Sequence, residues 1–136
     1  MNVEISSFDD LLRAARSQPE PQRLLFVFAG AELPEDCTPE QRARFEAGQG
    51  GALTPMMSVD KSPAELESFA ALAAESRQFG RDWVIVFVAS LSGRGGREPS
   101  SADAGQSLER MIASIKAGAV GAFLPFDRNG DPVLLS

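Results

Sequence analysis

The 136 residues are 43% hydrophobic and 24% charged, which fits one folded domain spanning 1–136. The sequence contains no histidine and a single cysteine, which excludes a Ser-His-Asp triad, histidine metal ligands and a disulfide within it. A net charge of −6 argues against nucleic acid as a partner. No apolar run is long enough for a membrane span, and the N-terminus lacks the basic start of a signal peptide. We therefore expect a cytoplasmic protein with no membrane partner.

The first predicted element is a helix that Ser7 caps and that ends before Pro19. Its apolar residues recur at the spacing of one helical face: Phe8, Leu11, Leu12 and Ala15. The apolar run "RLLFVFAG" (23–30) then predicts a strand that is buried on both faces. A second, short helix is predicted to begin at Thr38, with Pro39 in its first turn.

The segment "ALTPMMSVD" (52–60) predicts a second strand. Pro55 lacks a backbone donor for the sheet, so it indicates an edge strand or a bulge. The segment 62–80 predicts a third helix, because Ser62 and Glu65 have the spacing of a capping box at its start.

The run "WVIVFVA" (83–89) predicts a central strand with Trp83 as part of the core. A fourth helix follows over 101–118, and Gly118 ends it. The final segments "GAFLPF" and "PVLL" flank "DRNGD" (127–131), whose Asn-Gly pair favours a tight hairpin turn.

Alternation of helices and strands predicts an α/β fold: a three-layer sandwich with a mostly parallel, mixed sheet of about four to five strands and a C-terminal β-hairpin. The carboxyl ends of parallel strands lie at one edge of a sheet, where such folds bind ligands. We therefore expect the segments after the first three strands to share that edge. They include Glu32, Glu35, Asp36, Asp60 and Lys61.

The stretch "SLSGRGGREPSS" (90–101) joins the predicted central strand to the fourth helix. Backbone N–H groups of such a loop can form a nest for an anion, and arginine forks suit carboxylate or phosphate. It matches neither the phosphate-binding P-loop nor the dinucleotide-binding glycine pattern, and a mobile, solvated connection is the simpler interpretation. The candidate ligand-binding residues are Ser92, Gly93, Arg94, Gly95, Gly96, Arg97 and Lys61.

Cys37 offers a second hypothesis, since it directly precedes a predicted helix, where a thiolate is favoured. A strand, a loop and a cysteine that opens a helix resemble one-cysteine thioredoxin-like peroxidases, as does the closing hairpin. Glu35 and Asp36, next to the sulfur, would disfavour the thiolate. The acids of "DRNGD" match the start of a calcium-binding loop, but Pro132 stands where glycine is required, so a turn explains them better.

Four segments that together span nearly the whole chain resemble a family of small proteobacterial proteins: "LLFVFAGAELPEDCTPEQRARFEAGQGGAL", "SVDKSPAELESFAAL", "WVIVFVASLSGRGGR" and "AFLPFDRNGDPV". Some members of that family bear the description "ribonucleotide reductase subunit alpha". The chemistry of that enzyme needs a radical-bearing cysteine and a reducing cysteine pair, which one cysteine cannot supply. The resemblance implies no site residue, and we do not expect reductase activity.

These observations favour a non-catalytic binding or adaptor domain whose glycine- and arginine-rich loop recognises an anionic small molecule or a protein segment. We predict no catalytic residue, no metal ion and no cofactor. Two alternatives stay open: a thioredoxin-like redox enzyme that uses Cys37, and a purely structural protein–protein interaction module. The short, apolar last strand leaves a sheet edge open, so a homodimer is a further expectation.

Overall fold

The structure, a computed structural model, describes residues 8–32, 37–46, 52–66, 68–78 and 83–133. The helices are α1 (Phe8–Arg16), α2 (Pro39–Glu46), α3 (Phe69–Arg77) and α4 (Ser101–Lys116), with a 3-10 turn at Pro63–Glu65. The strands are β1 (Gln22–Glu32), β2 (Ala52–Lys61), β3 (Ile85–Ser92) and β4 (Leu124–Phe126). Ser7, the predicted cap of α1, lies outside the described residues.

The four described strands form one sheet in the order β2-β1-β3-β4, and every neighbouring pair is antiparallel. The prediction of a mostly parallel sheet is therefore wrong. It fails because a helix between two strands need not be a crossover that packs on the sheet. The side chains of residues 39–44 in α2 are all exposed, and this helix joins two adjacent antiparallel strands.

One helical crossover does exist, from β2 through α3 to β3. These two strands run in the same direction, because both are antiparallel to β1, which lies between them. The carboxyl ends of β2 and β3 consequently share one edge of the sheet, and the carboxyl end of β1 lies at the opposite edge. The expectation that Glu32 shares an edge with Lys61 is wrong for the same reason, since Glu32 pairs with Ala52 at the other end of β2, and Glu35 and Asp36 lie outside the described residues.

The apolar run of β1 is buried on both faces, as its sequence predicted. Alternate residues face opposite sides of the sheet. Leu24, Phe26 and Phe28 pack with α1 and α3, whereas Leu25 and Val27 pack with α4. Burial on both faces shows that helices cover the sheet on both sides, but it does not indicate whether neighbouring strands are parallel or antiparallel.

The predicted apolar face of α1 is confirmed, since Phe8, Leu11, Leu12 and Ala15 are all buried. Trp83 is also confirmed as a core residue, at 4% exposure, and its indole Nε1 donates to Ser76 Oγ at 2.8 Å. Pro55 lies on the outer strand β2, opposite Ala29, where the register shifts between Phe28 and Ala29. The sequence prediction of an edge or a bulge at Pro55 is thus confirmed on both points.

The helix predicted over 62–80 is interrupted. Ser62 and Glu65 make the predicted capping contacts, but they cap only the 3-10 turn, because Leu66 is extended, with φ −102° and ψ 120°. The helix α3 begins again after Ser68, whose Oγ accepts from Ala71 N at 3.2 Å. Leu66 is buried in the core, and this tertiary contact stabilises the break.

The C-terminal turn follows β4. Asp127 N donates to Asp131 O at 2.9 Å, and Asp127 Oδ1 accepts from Asn129 N and Asp131 N. The second arm of the predicted hairpin is seen as a single bridge between Phe126 and Pro132, and residues 134–136 lie outside the described residues. Gly130 has φ +82° and lies against Phe69, which ties this turn to the start of α3.

Candidate functional site

The glycine- and arginine-rich loop is a small β-hairpin. Arg94 N donates to Arg97 O at 3.1 Å, and Arg97 N donates to Arg94 O at 3.0 Å. Gly95 and Gly96 occupy the two central positions with φ of +58° and +79°. Positive φ at both positions is the geometry of the tight turns that suit β-hairpins, and glycine adopts it without strain. The sequence order Arg-Gly-Gly-Arg could have revealed this turn, which we had interpreted only as a loop.

The backbone donors of this hairpin are already engaged within the chain. Gly93 N donates to Pro21 O at 2.8 Å, and Gly96 N donates to Glu20 Oε2 at 2.8 Å. Together with the paired bonds of Arg94 and Arg97, these contacts leave no run of free N–H groups. The backbone nest that the glycines suggested is therefore occupied by the protein's own carbonyl and carboxylate oxygens.

A groove of about 470 Å³ lies between this hairpin and α4. One wall carries residues of the hairpin and of its flanks: Leu91, Ser92, Gly93, Arg94, Arg97, Glu98 and Pro99. The other wall carries a polar stripe of α4: Asp103, Gln106, Ser107 and Arg110. Leu91 also packs with the core between α4 and the sheet, so the groove lies on the α4 face.

Three arginines line this groove, Arg94 and Arg97 on one wall and Arg110 on the other. Two carboxylates, Glu98 and Asp103, give the lining a formal charge of +1, in a chain whose net charge is −6. Arg94 and Arg97 are exposed, and no hydrogen bond or ion pair joins their guanidinium groups to the part of the chain that the structure describes. The guanidinium of Arg110 contacts Ser107 Oγ at 3.5 Å.

The amino end of α4 is capped from within. Asp103 N donates to Ser100 Oγ at 3.1 Å, and Ser100 N lies 3.4 Å from the Asp103 carboxylate. The negative charge of Asp103 also lies in the first helical turn, where it stabilises the helix dipole. An anion in the groove would consequently be held by arginine side chains rather than by the helix terminus.

The structure brings Ser92, Gly93, Arg94 and Arg97 together along the groove, and it places Gly95 and Gly96 in the turn beside them. Lys61, in contrast, lies on the opposite face of the sheet.

Lys61 stands opposite Leu24 in β1, whose side chain packs with α1 and α3. Its Nζ forms an ion pair with Glu75 of α3 at 2.9 Å. The neighbouring Asp60 forms an ion pair with Arg23 of β1. Both charges of this dipeptide therefore have structural partners, and neither contributes to the groove lining.

Sequence reasoning missed the α4 wall and Glu20. The signal for the wall was present: positions 103, 106, 107 and 110 have the spacing of one helical face, and all four residues are polar. Glu20 carried no comparable signal, because its contact with Gly96 joins residues that are 76 positions apart.

Cys37 is not among the residues that line the groove, and it lies in the segment between β1 and α2. It is half-buried and precedes Thr38, which caps α2 through reciprocal bonds with Gln41. Glu35 and Asp36 lie outside the described residues. Within the described ranges, no group of three or more acidic or cysteine side chains could hold a metal ion.

No helix of the described residues is both long and apolar enough to cross a membrane. Comparisons of this chain with protein-family models, with curated proteins and with solved structures found no match.

Proposed function

We propose that this protein is a non-catalytic cytoplasmic binding domain that recognises an anionic group in the groove between the 93–97 hairpin and α4. The observation that carries the proposal is the presence of three arginines on two walls of one groove. Arginine forks match the oxygens of carboxylate and phosphate, and charge-assisted bonds of this kind are about twice as strong as neutral ones.

The groove chemistry also supports recognition rather than catalysis. The sequence has no histidine, and its single cysteine does not line the groove. The two carboxylates of the lining, Glu98 and Asp103, are exposed to solvent. Catalytic carboxylates usually depend on burial or on a close charged partner, and neither residue has this environment.

A melting-temperature measurement tests the proposal. We expect millimolar phosphate and citrate to raise the melting temperature of the wild-type protein, because a ligand that binds only the folded state stabilises it. The double variant Arg94→Ala with Arg97→Ala should lose most of this increase. The matched control is Arg42→Ala with Arg128→Ala, which removes the same charge from two exposed arginines outside the groove. It should keep the increase.

The same experiment separates the two alternatives. A flat response to every anion would contradict the proposal and favour a purely structural interaction module. A redox enzyme that uses Cys37 should instead react rapidly with a thiol probe at pH 6, where an ordinary thiol is almost fully protonated. The homodimer and the absence of a nucleic-acid partner stay predictions from the sequence.

A further inference from the structure

We infer that the ligand of the groove is an acidic polypeptide segment in an extended conformation, with carboxylates as the recognised groups. This inference rests on the proposed function and narrows its ligand from any anion to one class of partner.

The first argument concerns the donors that a ligand can use. Compact phosphate groups are typically held by runs of free backbone N–H groups in glycine-rich turns. Here the N–H groups of Gly93 and Gly96 bind Pro21 O and Glu20 Oε2, each at 2.8 Å. The Glu20 carboxylate, from the segment Pro19–Pro21, already occupies the turn. Recognition is consequently left to the arginine side chains, which reach the ligand from two sides.

The second argument concerns the shape of the groove. Small-molecule sites bury about 70–90% of their ligand. The polar residues that line this groove are mostly exposed, Arg94, Arg97 and Arg110 among them. A small ligand would remain largely solvated here, whereas a segment of chain can cross an open groove and gain contacts along its length.

The third argument concerns charge. Glu98 and Asp103 lie in the same lining as the three arginines. A dense polyanion such as a nucleic acid would place some of its phosphates near these acids, and the net charge of −6 would repel it at longer range. In an extended peptide, side chains on one face recur about every 6.6 Å. Spaced carboxylates can therefore meet arginines while intervening residues lie near the acids.

The fourth argument concerns the neutral polar groups of the lining. Gln106 and Ser107 lie on the α4 wall beside Arg110, on the face that lines the groove. The side-chain amide of Gln106 has no hydrogen-bond partner in the described ranges, and it is both a donor and an acceptor. A peptide backbone presents the complementary donor and acceptor in every residue. A carboxylate by itself presents only acceptors.

Fluorescence anisotropy with four probes tests the inference. The first probe is a labelled, end-capped hexapeptide that alternates serine and glutamate, and the second has glutamine in place of each glutamate. Inorganic phosphate and a single strand of six thymidine nucleotides compete with the labelled peptide. We expect the acidic peptide to bind at least about tenfold more tightly than the glutamine peptide, since one charge-assisted hydrogen bond is worth that factor.

Variants identify the binding surface. Arg94→Gln with Arg97→Gln should weaken peptide binding by at least about tenfold, whereas Arg42→Gln with Arg128→Gln should change it by less than about twofold. Gln106→Ala should weaken binding of the peptide and leave binding of phosphate unchanged. Unchanged melting temperatures will show that each variant is folded.

The outcomes separate this inference from the proposed function. If phosphate or the oligonucleotide binds more tightly than the acidic peptide and depends on Arg94 and Arg97, the inference is wrong and the proposed function stands. If no probe binds, or if binding is indifferent to these arginines, both are wrong.

Discussion

Gly93 packs closely against the backbone of Arg97 and Pro21, and its replacement tests the geometry of the hairpin. A Cβ atom at position 93 would lie 1.9 Å from Arg97 O and 3.0 Å from Pro21 O. Both neighbours are backbone atoms, so neither can move aside as a flexible side chain could. The variant Gly93→Ala must therefore separate the hairpin from Pro21, open the hairpin itself, or do both.

The loss of stability can be estimated from the hydrogen bonds that the substitution would break. Three backbone hydrogen bonds converge there: Gly93 N to Pro21 O, Arg94 N to Arg97 O and Arg97 N to Arg94 O. At about 0.5–1.5 kcal/mol each, their loss would destabilise the protein by about 1.5–4.5 kcal/mol. Unfolding entropy of about 2.1 cal/mol/K per residue converts this, for 136 residues, into a fall of about 5–16 °C in melting temperature.

Thermal unfolding followed by far-ultraviolet circular dichroism measures this fall. Gly105→Ala is the matched control in α4, because a Cβ atom at position 105 meets nothing within 4 Å. That exchange should stabilise the protein by about 0.5–1 kcal/mol, since alanine is the better helix former. A Gly93→Ala variant as stable as the wild type would refute the described packing of the hairpin.

Two further predictions concern the core and the 3-10 turn. Ser76→Ala leaves the buried indole N–H of Trp83 without its acceptor and should lower the free energy of unfolding, measured in urea, by about 1–3 kcal/mol. In a Trp83→Phe background the same substitution should cost clearly less, because the donor is already missing. Equal costs in the two backgrounds would contradict the hydrogen bond. Hydrogen bonds from the backbone and the side chain of Ser62 lower the pKa of Glu65 below its ordinary value of 4.5. The ionised form is favoured in the folded state, so its contribution is complete above about pH 4.5 and is lost as the pH falls through the folded-state pKa. The stability advantage of the wild type over Glu65→Gln, measured by urea unfolding, should therefore shrink below pH 4.5, and an advantage that grew there would contradict this origin.

Local patterns located most helices and strands correctly, because each depends on residues close in sequence. The apolar face of α1 and the apolar run of β1 indicate correctly which side chains are buried. Gly118 is predicted as the end of α4, and its backbone N donates to Ile115 O there, whereas the cap at the other end, Ser100, was not predicted. The prediction of one continuous helix over 62–80 was wrong because of a long-range contact: Leu66 is extended and buried in the core, and this interrupts the helix.

The candidate site was predictable only in part. The hairpin arginines were evident from the residue types in 90–101. Their partner wall was not identified, because the spacing of its polar residues indicates a shared face of α4 but does not place that face beside the hairpin. Lys61 is a predicted ligand-binding residue because the carboxyl end of β2 was expected at the same edge of the sheet as the 93–97 hairpin. The end of β2 does lie at that edge, but the alternation of side chains along β2 places Lys61 against α3, on the other face of the sheet.

The sequence by itself determined which chemistry is possible, because it contains no histidine and only one cysteine. It also determined where buried segments and turns lie. Only the tertiary structure decided that all neighbouring strands are antiparallel, that α4 forms the second wall of the groove, and that Glu20 occupies the turn at Gly96. The physical reason is range. Periodicity and capping act over a few residues, whereas strand partners are 20 to 70 residues apart in the sequence, and the acceptors of Gly93 and Gly96 are 72 and 76 residues away.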